Sequence, residues 1–398
     1  MARYYSMLST LTNLVRHTSS IACFLLAAMA FAQSSPNVQV VSIEKDENFN
    51  GFELLEVEDK RVFVLAEHWH SIRTVPRATM KLIRYLHERA NVRILAIEQG
   101  ASAAHMINQY LSSGDSLTLR QIARNTMFWG QENYAFLQDL YEFNQSLPKA
   151  YRVFVKSIDI EYKMESAVFV INDLIGSKEI PQSLSQTVGV FEQMFEDTRT
   201  HREQFDGLSV LYYYDRDFTI QLVSNTLEDI ENRSSEYENF FGVDFEQFST
   251  MITDMRDGLT FDYTNPNTNY KFRDDIIHSK FKKLLTTYPD EGVLCVIGMR
   301  HVTKGSSIYK LDSEDSSPAF GKVMKIRVSA LFKNTFKTSD LRRINFSFPK
   351  QLKERGATLI KHDPSDPALR SAKFFDYTLF LNDNGELTPF ENVLTEGY

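Results

Sequence analysis

Glu67, His70, Glu98, Asp159 and His301 share one property: each stands at or just past the end of a short apolar run. Arg61-Val62-Phe63-Val64-Leu65-Ala66 stops in Glu67-His68-Trp69-His70, and Arg93-Ile94-Leu95-Ala96-Ile97 stops on Glu98. Arg152 to Ile158 runs into Asp159-Ile160-Glu161, and Val293 to Ile297 runs into Gly298-Met299-Arg300-His301. An imidazole titrates near neutral pH and can take a proton from water or an alcohol. A carboxylate beside it holds the useful tautomer and raises its basicity, and further acids can position water or a leaving group. Acids and imidazoles are costly to desolvate unless they are hydrogen-bonded, paired or used. The two tryptophans of the chain, Trp69 and Trp129, fall beside these polar clusters and offer flat apolar walls with one N–H donor each.

The elements that must position these groups follow from periodicity. Continuous apolar runs of five or so residues read as strands buried on both faces. Between the first two runs, Val75, Met80, Leu82, Ile83 and Leu86 recur at helical spacing over 73–89. The result is a βαβ unit with acid and histidine at one end of both strands, where open α/β sheets bind ligands. Further helices are expected over 101–111, 117–126 (capped by Ser116) and 132–145, closed by Pro148. From 162 to 289 the spacing is helical throughout, and strand-like segments return at 292–297, 323–332, 358–360 and 377–381.

The expected fold is α/β: a mixed, mostly parallel sheet flanked by helices, with a helical insertion. Residues 1–32 read as a signal peptide, 33–60 as a lead-in with a short strand near Val38, 61–161 and 290–398 as the α/β core, and 162–289 as the insertion. Arg3 and Arg16 precede an apolar segment, Ile21 to Ala32, too short to span a bilayer, and Ala30-Phe31-Ala32 is a small-x-small cleavage site. Cleavage would remove two arginines and lower the net charge of −8 by two. The expectation is a secreted or periplasmic protein with no stable membrane anchor. Cys23 would leave with the signal, so Cys295 remains without a disulfide partner and reads as a core residue. The acidic balance, without a basic stripe, argues against nucleic acid; a small-molecule substrate is the expected partner.

The ordered set Glu67-x-x-His70, Ile97-Glu98, Phe128-Trp129, Ile158-Asp159 and Gly298-x-x-His301-Val302 resembles the erythromycin esterase-like family. Phe375-Asp376-Tyr377-Thr378-Leu379-Phe380, with Thr388-Pro389 nearby, is similar to that family's C-terminal strand. The wider superfamily includes Tiki/TraB-type metalloproteases and haem-binding lipoproteins. The resemblance covers roughly 60–390 and implies a hydrolytic cleft at the strand ends. It implies that His70 activates water for attack on an ester or related bond, that Glu67 and Glu98 orient it, and that His301 assists from the far wall. His68, Trp69, Arg77, Trp129, Glu132 and Asp159 are the expected substrate contacts. Thr79 stands where family esterases carry a site arginine, with Arg73, Arg77 and Lys81 close by, and Gly298 stands where a second histidine is usual. No cofactor is expected. The alternatives are a divalent-metal hydrolase using His68, His70, Glu98 and His301, and a haem- or ligand-binding relative without turnover.

Overall fold

The run 62–67 forms β2 (Val62–Glu67), with all six residues buried. The computed structural model describes residues 37–68, 70, 72–126, 128, 130–201, 216–261, 266–330, 357–362, 374–381 and 387–388. The proposed signal segment, Trp69 and Trp129 lie outside them.

The other strands are β1 (Val38–Val41), β3 (Val92–Ile97), β4 (Phe154–Ser157), β5 (Gly292–Gly298), β6 (Val323–Ala330), β7 (Ala357–Lys361) and β8 (Tyr377–Leu381). Their order is β1-β7-β8-β6-β2-β5-β3-β4. Only β7 runs antiparallel to its neighbours, β1 and β8. The sheet is thus mixed and mostly parallel, as its apolar strands require.

Strands β2 and β3, joined by α1 (Val75–Ala90), are not neighbours: β5 lies between them. This corrects the expected position of His301, which comes from the middle of the site and not from a far wall. The register sets Glu67 beside Gly298 and Ile97 beside Val296. The polar residues just past β2, β3 and β5 therefore emerge side by side.

Alternation assigns the two faces. Phe63, Leu65, Leu95 and Ile97 pack with α1, α2 (Ala101–Ser113) and α4 (Gln131–Ser146). Val62, Val64, Ala66, Ile94 and Ala96 pack against Ile277, Phe281, Leu284 and Leu285 of α10 (Pro266–Thr287). Cys295 is fully buried on this second face. Helix α3 (Ser116–Asn125) is capped by Asp115, not Ser116: the Asp115 carboxylate accepts the Thr118 N–H at 2.7 Å, and Ser116 is already helical.

Helices α5 (Met164–Ile175), α6 (Val188–His201), α7 (Arg216–Asn232), α8 (Ser234–Phe241) and α9 (Phe245–Thr260) make up the rest of the helical region. Their core, through Val168, Ile171, Phe191, Phe248 and Met255, is continuous with that under α2. A short helix, α11 (Ser307–Ser313), follows β5 and was not expected from the spacing. Among the described residues no helix is long and apolar enough to cross a membrane.

Candidate active site

Glu67 is the last residue of β2, and the chain turns at once, bringing His70 back over it. His70 Nδ1 lies 3.0 Å from Glu67 Oε2, and Nε2 lies 3.7 Å from Glu98 Oε2. The Glu67 side chain is 7% exposed and that of His70 51%. Burial pushes the Glu67 carboxyl up, against the hydrogen bond and charge of His70. Burial works against protonating His70, but the hydrogen bond to Glu67 and the charges of Glu98 and Glu67 outweigh it, and its pKa rises to about 9. The pair opens into a small hollow, about 60 Å³, walled by Val75, Thr79, Phe128, Asn133 and Phe136.

Behind the dyad, every charge is held. Glu98 Oε2 accepts the Gly298 N–H, and Oε1 accepts from Arg273 and lies 3.1 Å from His301 Nε2. His301 Nδ1 is 2.7 Å from Asp274 Oδ1. Arg273 also grips Asp159, its Nε 3.0 Å from Oδ1 and its Nη2 against Oδ2, while the Tyr162 hydroxyl donates to Asp159 Oδ2 at 2.9 Å.

Burial would raise the Glu98 pKa, but the hydrogen bond and charge of His301, with Arg273 and His70, hold it far below the usual carboxylate range. Burial opposes the charge on His301 too, yet Asp274 and Glu98 push its pKa up to about 9. Asp159 and Glu98 outweigh the burial of Arg273 and keep it charged. Gly298 leaves room at this point: a Cβ there would sit 3.2 Å from Glu98 Oε2, which would have to give by a few tenths of an ångström, and in ordinary contact with His70 Nε2 at 3.4 Å.

Of the residues singled out in the sequence, Glu67, His70, Glu98, Asp159 and His301 come together. Asp159 is fully buried and serves Arg273, so it is a support and not a wall of the hollow. His301 has both ring nitrogens engaged. Arg77 turns outward to Glu44, with Nη1 3.2 Å from Oε1. The Glu132 carboxylate accepts the amide and hydroxyl of Thr388, tying down a C-terminal segment. Burial and the charge of Arg327 lower the pKa of His68, which is not among the residues walling the hollow. Lys81 is buried against Asp46, away from the site.

Arg273 and Asp274 were missed. A signal for Arg273 exists: it precedes Ile277, Phe281, Leu284 and Leu285 at helical spacing, which puts a cation on a buried face. It reaches the cluster from α10, not from the Thr79 position on α1. Thr79 instead donates its hydroxyl to Val75 O at 2.9 Å.

Among the described residues no group of three or more histidine, cysteine or acidic side chains is arranged to hold a metal ion. The set His68, His70, Glu98 and His301 does not fit a divalent cation. His301 has no nitrogen to spare, both Glu98 oxygens carry N–H donors, and a guanidinium touches the same carboxylate.

No family model matches the chain, and no curated protein matches it. Solved structures do. A mutant of the erythromycin esterase EreC in its open conformation superposes with a TM-score of 0.60 at 14% identity, covering 88% of this chain and 98% of that one. A protein from Bacillus cereus gives 0.58 at 14% identity over 87% and 94%, and a succinoglycan biosynthesis protein gives 0.60 at 12% over 88% and 96%. The chain therefore has an erythromycin esterase-like fold.

Proposed function

We propose that this protein is a hydrolase in which His70 takes a proton from water as that water attacks the carbonyl carbon of an ester or related bond. One observation carries the reading: an imidazole braced by one carboxylate and facing a second is half exposed at the mouth of a walled hollow. In the forward step the water oxygen bonds to carbon and its proton passes to His70 Nε2. When the tetrahedral intermediate collapses, the C–O bond to the leaving group breaks and the proton passes to the departing oxygen. The products are a carboxylic acid and an alcohol. Glu67 fixes the ring through Nδ1, and Glu98, held by Arg273, His301 and Gly298, stabilises the imidazolium.

With a pKa of about 9, only about one His70 in a hundred is unprotonated at pH 7, so the reaction is one for alkaline conditions. No metal enters the scheme, because Glu98 and His301 spend their bonding capacity on Arg273, Gly298, Asp274 and each other. The fold's likeness to an esterase lends support at the level of architecture alone. Export to the periplasm or beyond belongs to the same proposal and rests on the N-terminal sequence.

A panel of para-nitrophenyl acyl esters tests the chemistry. We expect turnover by the purified chain, unaffected by chelators, and its loss in His70→Ala. A variant as fast as the parent overturns the role of His70. Activity that a chelator removes and zinc or manganese restores overturns the metal-free scheme.

A further inference from the structure

One polar side chain in the wall of the hollow has no hydrogen-bond partner among the described residues. Asn133 lies in the first turn of α4, is 8% exposed, and lines the hollow together with Thr79, Phe128 and Phe136. Its neighbours are committed: the Gln131 N–H donates to Thr388 O at 2.9 Å, and Glu132 holds the amide and hydroxyl of Thr388. Two other asparagines show what a structural amide does in this fold. Asn144 gives Nδ2 to Val153 O at 2.7 Å and takes the Val153 N–H at 2.8 Å. Asn108 does the same with Val155, both bonds at 2.8 Å. Asn133 makes neither kind of bond. The amide lines the hollow and spends neither its donors nor its acceptor inside the fold, so both are open to a bound molecule.

The geometry points to Asn133 as the group that receives the carbonyl oxygen of the bound molecule, donating from Nδ2, the carbonyl being carried on a compact, uncharged acyl chain. Thr79 cannot make this bond, because its hydroxyl proton is given to Val75 O. The rest of the wall is apolar except for the dyad, and no described lining residue is lysine or arginine. An anion would meet Glu67 with no fixed cation to offset it beyond His70 itself. The enclosed part of the hollow is about 60 Å³, far below an ordinary ligand pocket, so only a compact acyl chain fits. The assignment rests on the reading of this hollow as the substrate site, but binding can be measured without turnover.

The test uses the full chain, butanamide as a neutral carbonyl probe and sodium butyrate as its anionic counterpart. Calorimetry with His70→Ala, where nothing can turn over, is expected to show butanamide bound and butyrate not. Asn133→Leu, of similar volume but without a donor, should weaken butanamide at least tenfold. It should also lower kcat/KM for para-nitrophenyl butyrate by about 10²-fold, in the range for losing one such donor, and leave the pH profile unmoved. Asn133→Ala is the second variant should leucine not be accommodated. Butanamide bound equally well without Asn133, butyrate bound more tightly than butanamide, or no butanamide binding by the parent chain overturns the proposal. If butanamide binding depends on Asn133 but no ester is cleaved, the site stands and the hydrolase reading falls.

Discussion

The two sides of the strand ends treat polar groups in opposite ways. On the packed side, Glu98, Asp159, Arg273, His301 and Asp274 are almost wholly buried, and each has charged partners within bonding distance. On the open side, His70 keeps Nε2 without a hydrogen bond, 3.7 Å from Glu98, and Asn133 keeps its amide without a partner. Groups whose bonding capacity is used up can set a field and a geometry, but they cannot exchange protons or meet a ligand. Groups with capacity to spare can. Under the proposed mechanism the contrast divides positioning residues from the reacting one.

Replacing one member on each side should break that contrast differently. His70→Ala should lower kcat/KM by about 10² to 10⁴, the usual worth of a general base, with a smaller loss of stability at neutral pH from its pairing with Glu67. Arg273→Met should act mainly on stability, costing about 3–5 kcal/mol in urea titration, because Asp159 is left as an uncompensated buried charge while Glu98 keeps only its histidine partners. Adding Asp159→Asn to that variant should recover part of the loss; no recovery would mean the pairing is not what holds this side together.

The pH dependence sharpens the same division. His70 must lose its proton to act, so kcat/KM should rise about tenfold per pH unit from 7 and level off near 9. A profile already flat at pH 7 would show that His70 is not the titrating base. His301 is raised in the folded state, from 6.5 to about 9. Its contribution to stability is therefore complete below the unfolded value and drains away as pH climbs toward 9. Between pH 7 and 8.5 this amounts to about 2 kcal/mol, and His301→Gln should lose that part of the slope while keeping the part due to His70. The smallest effect is expected at Arg77, where the exposed pair with Glu44 is worth less than about 1 kcal/mol. Arg77→Ala should leave both stability and ester turnover close to those of the parent, and a large loss of turnover would place Arg77 back at the mouth of the hollow.

Much of the site's composition was legible because a buried parallel strand declares itself locally. Val62 to Ala66, Ile94 to Ile97 and Val293 to Ile297 can only be buried runs, and a carboxylate or imidazole directly after one is conspicuous. Thr79 on α1 drew attention to a missing arginine, yet no local rule says that the cation will come from α10. Arg273 lies 175 positions from Glu98 and 114 from Asp159, and its pattern in sequence is that of an ordinary amphipathic helix.

By itself, then, the sequence determined which segments are strands and which polar residues end them. Those outcomes depend on side-chain alternation and chain geometry over a few residues. Only the tertiary structure decided that β5 lies between β2 and β3, that His301 and Asp159 are buried supports, that Arg77 and Glu132 turn to other partners, and that Asn133 faces the hollow unbonded. Strand order and helix placement are settled by how whole faces pack against one another. That free energy is summed over residues distant in the chain and has no local signature.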